Sequence, residues 1–115
     1  MRTFSVAEAR ALLPAVQDAA AELIDLRADL AVARAAGEDA ALPLAETKAL
    51  EARVHELIEW FPEQGLELKG IAPLLLDFPS TLDGEPVLLC WLEGEEDLAW
   101  YHRAELGFLG RRRLR

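Results

Sequence analysis

The chain has 115 residues, of which 52% are hydrophobic and 29% charged, and its formal net charge is −9. This length and balance predict one soluble globular domain with a single modest core, and they exclude a disordered chain. The negative charge argues against broad nucleic-acid binding, because affinity for phosphate backbones comes mostly from Lys and Arg.

Three further features bear on location. The single Cys excludes an internal disulfide and a zinc site made only of cysteines. The first ten residues, MRTFSVAEAR, lack the apolar core and cleavage signal of a secretory peptide. The apolar runs are too short to span a membrane. We therefore expect a cytoplasmic protein of bacterial type that does not associate with membranes.

The first helix has a clear start signal. The sequence from Ser5 to Glu8 matches a capping box, in which the side chains of the first and fourth residues bond to each other's backbone amides. Pro14 should bend the helix without ending it. The apolar residues that follow the cap recur mainly in alternating steps of four and three, at Ala9, Leu13, Val16, Ala20, Leu23 and Leu30. This spacing predicts a helix that packs along one seam against another helix.

A second helix follows a short break at Gly37-Glu38-Asp39. Pro43 suits its first turn, and the pair Pro62 and Gly65 predicts its end. The spacing of four and three returns at Leu50, Val54, Leu57 and Phe61. Residues 1–64 therefore predict an antiparallel helical hairpin. His55, beside Glu56, is expected to be a half-exposed residue without a special role.

From residue 65 the pattern changes to strands and tight turns. The first strand is predicted from Leu74 to Pro79, the second from Val87 to Leu92 and the third from Leu98 to His102. Asp83-Gly84 predicts the first hairpin turn, because both residue types tolerate a positive φ angle. The expected fold is α+β: one domain with a helical hairpin over residues 1–64 and a three-stranded antiparallel β-meander and tail over residues 65–115.

The first turn also predicts a register. If Leu82 pairs with Glu85, Asp77 lies opposite Cys90. If the second turn has three residues, Cys90 lies opposite Trp100, and His102 follows two positions along the same face. A slip of one residue would move His102 to the other face.

Both faces of this sheet carry apolar side chains, but a helical hairpin covers only one. The other face needs either a partner chain or the C-terminal segment that contains Leu106, Phe108 and Leu109. This requirement leads us to expect a homodimer.

The residues that could carry chemistry are Asp77, Cys90, His102 and the acidic turn Glu93/Glu95/Glu96. A Cys–His–Asp trio would suit nucleophilic catalysis, although a thiol inside an apolar run tends to be neutral and inert. A divalent metal held by Asp77, Glu95 and His102 is a second interpretation. The third is structural, with Asp77 bonded to loop amides and His102 packed in an aromatic cluster.

Other classes of site have less support. The sequence contains no GxGxxG, P-loop, HExxH or CxxC pattern, so nucleotide sites and the familiar zinc-enzyme motifs are not indicated. Four of the ten Arg lie in the last five residues. Such a basic cluster is only weak evidence for nucleic-acid binding and is more typical of a solvated tail.

In its motifs the chain resembles the uncharacterised bacterial domain-of-unknown-function family 2203. The resemblance rests on Phe4 to Pro14 and on an ordered series of short motifs from residue 65 onward. These are Gly65 to Lys69, Asp77-Phe78-Pro79, Asp83-Gly84, Leu89-Cys90-Trp91, Gly94-Glu95, Trp100 to His102 and Gly107 to Arg111. The resemblance implies a small bacterial cytosolic protein with no assigned activity, and it directs attention to Asp77, Trp91, Glu95, His102 and Arg111 as a common surface.

The function that we predict first is a dimeric binding or protein-interaction module without catalytic residues. Its ligand would be an unidentified protein or small molecule, and no cofactor is predicted other than a possible divalent metal. The binding patch would comprise Asp77, Trp91, Glu95, Trp100, His102 and Arg111. The alternative is a metal-binding protein or metal-dependent enzyme that uses Asp77, Glu95 and His102.

Overall fold

Two helices precede one antiparallel sheet of five strands. The computed structural model describes residues 2–36 and 44–114. The helices are α1 (Val6–Ala36) and α2 (Leu44–Glu63), and the strands are β1 (Glu67–Ile71), β2 (Leu74–Leu82), β3 (Glu85–Leu92), β4 (Trp100–His102) and β5 (Arg112–Arg113). A short 3₁₀ helix, Phe108–Gly110, precedes β5. The α+β class is confirmed.

The capping box at the start of α1 is confirmed. The Glu8 amide donates to Ser5 Oγ at 3.0 Å, and the Ser5 amide donates to the Glu8 carboxylate at 2.9 Å. Pro14 lies inside α1, as expected. Pro62 lies inside α2, and Gly65 follows with a φ of 93°. The predicted break at 37–39 and Pro43 fall outside the described residues.

The two helices run antiparallel. Arg53 of α2 pairs with Glu22 of α1 at 2.6 Å, whereas Arg34, further along α1, reaches back to Glu51 at 3.7 Å. The seam of α1 is buried at every predicted position, from Ala9 to Leu30. No helix in the described ranges is long and apolar enough to cross a membrane.

One face of the sheet packs against the helices, and we call it the inner face. Its apolar side chains join the seam of α1 and the end of α2 in one core, and they are Leu74, Leu76, Phe78, Val87, Leu89 and Trp91. Phe4 is also in this core, where it contacts Phe78 edge-to-face at 5.5 Å. We call the opposite side, which carries Asp77 and Cys90, the outer face.

The meander has five strands rather than the predicted three, in the order β1-β2-β3-β4-β5. β1 contains Gly70, and its pairing with β2 is irregular between Leu68 and Gly70, so it lacks a clear strand pattern in the sequence. β5 has only two residues, which pair with Trp100 and Tyr101. Both additional strands are edge strands, and tertiary pairing rather than apolar alternation defines them.

A partly buried ion pair joins α1 to the sheet. The Glu93 carboxylate accepts two hydrogen bonds from Arg27, each at 2.9 Å, and a third from the Leu74 amide at 2.9 Å. The hydrogen bonds from Arg27, followed by the one from Leu74, lower the pKa of Glu93 below its ordinary value. The ionised form of Glu93 therefore stabilises the folded chain.

We expect Glu93→Gln to lower the free energy of unfolding by about 1–2 kcal/mol at pH 7, because charged hydrogen bonds are lost. A lowered folded pKa contributes stability above the ordinary carboxyl pKa and loses it as the pH falls through the folded pKa. In urea denaturation, the difference in unfolding free energy between variant and wild type should therefore shrink as the pH falls below the ordinary carboxyl pKa. Glu96→Gln, on the exposed side of the same turn, is the control, and a difference independent of pH would contradict the expectation.

Candidate functional site

The strand register brings three reactive side chains together on the outer face. Asp77 of β2 pairs with Cys90 of β3, and Cys90 pairs with Trp100 of β4. His102 follows Trp100 two positions along, opposite Leu88. The predicted register is therefore confirmed, although the connection from β3 to β4 runs over residues 93–99 and is longer than the three-residue turn that we assumed.

Asp77 and His102 form a buried pair, with exposed fractions of 1% and 3%. The His102 Nε2 atom lies 3.2 Å from each carboxylate oxygen of Asp77. His102 Nδ1 lies 2.9 Å from the Arg103 carbonyl oxygen. A carbonyl oxygen only accepts, so Nδ1 carries a hydrogen, and Nε2 is the ring nitrogen directed at Asp77.

Cys90 completes the cluster. Ligating atoms of Asp77, Cys90 and His102 all lie within 4.8 Å of one another, and all three residues are buried. The Cys90 thiol lies beside the Asp77 carboxylate. We call these three residues the Asp–Cys–His cluster.

Burial dominates the electrostatics of the cluster. It raises the pKa of Asp77, and the charge and hydrogen bond of His102 oppose this shift. Burial, with the Asp77 charge adding to it, raises the pKa of Cys90 to about 12, while Arg111 acts in the opposite direction. The thiol of the unliganded chain is therefore neutral at pH 7.

These contacts disfavour nucleophilic catalysis by Cys90. A Cys–His pair needs an imidazole nitrogen free to accept the thiol proton. Here Nδ1 of His102 bonds to a carbonyl and Nε2 faces Asp77. The raised pKa of Cys90 also keeps the thiolate scarce.

The predicted metal set was Asp77, Glu95 and His102. The cluster in the structure shares Asp77 and His102 with this set but contains Cys90 in place of Glu95. The Glu95 carboxylate accepts from the Leu92 amide at 2.7 Å and from Arg111 Nη2 at 2.8 and 2.7 Å. Cys90 takes the place of Glu95 beside Asp77 and His102. The sequence contained one signal that Cys90 lies beside Asp77, namely the predicted pairing of these two residues. The apolar run around Cys90, however, argued against a functional role for its thiol.

Arg111 holds the C-terminal segment against Trp100 of the outer face. Its guanidinium lies 4.8 Å from the ring centres of both Trp100 and Phe108, while Nη2 binds Glu95. Among the described residues, its buried Nε has no hydrogen-bond partner. Trp100, Glu95 and Arg111 thus form a second group, next to the Asp–Cys–His cluster.

Trp91 does not share this surface. It lies on the inner face, in the core, and its indole nitrogen donates to the Glu95 carbonyl at 2.9 Å. The exposed His55, outside the sheet, pairs with Glu59 at 2.9 Å. The predicted patch therefore divides between the two faces of the sheet.

The single chain covers much of the outer face. Leu88 is 7% exposed and Cys90 is fully buried without a partner chain. Within the chain, Arg111 lies against Trp100 on this face, whereas Leu106, Phe108 and Leu109 stay largely exposed. The homodimer stays a prediction.

The family described as Uncharacterized conserved protein (DUF2203) matches residues 2–114. The chain belongs to this family. No curated protein and no solved structure gave a significant match. Four of the five residues to which the DUF2203 resemblance directed attention, Asp77, Glu95, His102 and Arg111, belong to the two groups just described.

Proposed function

We propose that this DUF2203 protein binds one divalent transition-metal ion, of the zinc class, through Asp77, Cys90 and His102. The observation that carries the proposal is the convergence of a carboxylate, a thiol and an imidazole from three adjacent strands within 4.8 Å. Thiolate and imidazole ligands favour zinc and similar ions over Mg²⁺ and Ca²⁺, which prefer oxygen.

Charge balance supports a divalent ion. When bound to metal, Cys90 is a thiolate and Asp77 a carboxylate, so the two ligands carry a charge of about −2. A divalent cation neutralises this charge, which matters because an uncompensated buried charge is costly.

The surroundings of His102 also support ligation. A metal-binding histidine usually donates its other ring N–H to a carbonyl or carboxylate, which holds the ring in one orientation. The Nδ1 contact with the Arg103 carbonyl does this and leaves Nε2 directed at the cluster. Three protein ligands leave the fourth position of a tetrahedral zinc ion for water or a small molecule.

The proposal also favours a cytoplasmic location. A single thiol ligand must stay reduced to bind metal, and the cytosol keeps thiols reduced. Within that setting, the exposed apolar C-terminal segment favours interaction with another protein chain as a second role.

The test is titration of chelator-treated, dialysed protein with ZnCl₂ by calorimetry. We expect one ion per chain and a raised melting temperature, whereas MgCl₂ should have little effect. Absence of stoichiometric binding, with no change in the melting temperature, would remove the proposal.

The affinity for Zn²⁺ should rise with pH. The Cys90 pKa of about 12 means that the metal must displace the thiol proton. Calorimetry in buffers of different ionisation enthalpy should therefore show release of at least about one proton per ion bound at pH 7. Binding without proton release would show that Cys90 is not a ligand.

A further inference from the structure

The C-terminal segment exposes apolar and basic side chains side by side. Leu109 is 97% exposed, Leu106 51% and Phe108 40%. Arg112 and Arg113 follow, both exposed. We call residues 106–113 the apolar–basic segment. Adjacent apolar side chains at this exposure are typical of an interaction surface.

A groove of complementary character lies between α1 and α2. Its floor includes Leu57 and Trp60, and its volume is about 490 Å³. Carboxylates surround it on both helices, and they belong to Asp18, Glu22, Glu56, Glu59 and Glu63. Arg53 neutralises part of this charge through Glu22 and Glu56. Among the described residues, Asp18 and Glu63 form no ion pair. We call this feature the acidic groove.

We propose that the apolar–basic segment of one copy of the chain docks into the acidic groove of a second copy. The partner is a second copy because this chain carries both surfaces. Its body is acidic, yet four of its ten Arg lie in the last five residues. The apolar side chains would contact Leu57 and Trp60, and the arginines would face the surrounding carboxylates.

The segment docks between chains because it is held away from the groove of its own chain. β5 pairs with β4, and the Leu114 amide donates to the Ala99 carbonyl at 2.7 Å. Arg111 adds the contacts with Trp100 and Glu95. Reciprocal docking of two copies about a two-fold axis uses every segment and groove once, so the assembly closes as a dimer. It involves neither Asp77 nor Cys90 and is independent of metal.

The first test is sedimentation equilibrium of the full chain, with and without EDTA. We expect a dimer under both conditions. Leu109→Asp should weaken the dimer at least about 10-fold, because a charge enters an apolar contact. Val32→Asp is the matched control, since Val32 is 72% exposed on α1 and does not line the groove. It should leave the dimer unchanged.

Charge reversal provides the second test. Glu59→Lys with Glu63→Lys should give a monomer, and so should Arg112→Glu with Arg113→Glu. All four substitutions in one chain should restore the dimer, because the signs are again complementary. Circular dichroism confirms that each variant is folded.

A wild-type monomer at the highest concentration studied would overturn the proposal. A folded Leu109→Asp variant that dimerises as tightly as wild type would overturn it too, as would quadruple substitution without rescue. A dimer that disappears only when EDTA is added would instead place the contact at the metal site and contradict docking in the acidic groove.

Discussion

Cys90→Ser and Asp77→Asn should each weaken Zn²⁺ binding by about 100-fold or more. Removing an outer partner of a metal ligand already costs about 10–100-fold, and these changes remove ligand atoms themselves. Both replacements are close in shape to the native side chain. In Asp77→Asn the new amide can still hydrogen-bond to His102 Nε2, and in Cys90→Ser the new hydroxyl can still donate to Asp77, so the fold should persist. Calorimetric titration measures the affinity, and urea denaturation confirms folding.

Glu95→Gln separates the two possible ligand sets. If the Asp–Cys–His cluster binds the metal, this variant should keep the wild-type affinity, because the amide oxygen that it introduces can still accept from the Leu92 amide and from Arg111. If the ion is held by Asp77, Glu95 and His102 instead, Glu95→Gln should weaken binding and Cys90→Ser should not. The pair of variants therefore decides between Cys90 and Glu95 as the third ligand.

Phe78→Ala should lower the free energy of unfolding by about 3–5 kcal/mol, the largest stability effect that we expect. Phe78 is fully buried on the inner face, where its ring contacts Phe4 edge-to-face at 5.5 Å. Its removal leaves a cavity between the sheet and the helices and takes away an aromatic contact. A domain of this size has only about 5–15 kcal/mol of total stability, so the variant should be marginal.

Urea denaturation measures the free energy of unfolding of the wild type and of three variants, Phe78→Ala, Phe78→Leu and Phe108→Ala. Phe78→Leu should lower the free energy of unfolding less than Phe78→Ala does, because most of the side-chain volume remains. Phe108 is 40% exposed, so its truncation should cost about 1 kcal/mol or less. Equal losses at positions 78 and 108 would contradict the assignment of the core to the inner face.

Local signals in the sequence were sufficient for much of the fold. The capping box at Ser5 and Glu8 forms as predicted, because both hydrogen bonds join residues three apart. The Asp83-Gly84 turn forms with φ angles of 51° and 80°, and it sets the register that pairs Asp77 with Cys90. Such features depend on a few neighbouring residues, so the sequence alone predicts them.

Long-range contacts decided the rest. β1 and β5 are strands only because β2 and β4 offer backbone partners, so apolar alternation does not reveal them. Glu95 resembles a free turn carboxylate in the sequence, but Arg111, 16 residues away, binds it.

By itself, the sequence determined two helices, a meander and the face shared by Asp77, Cys90 and His102, because helical period, strand alternation and turn chemistry are local. Only the tertiary structure decided which face meets the helices and that Arg111 of the C-terminal segment lies against Trp100 on the other. It also decided which carboxylate lies beside the imidazole, because side-chain distances and burial depend on how the elements pack together.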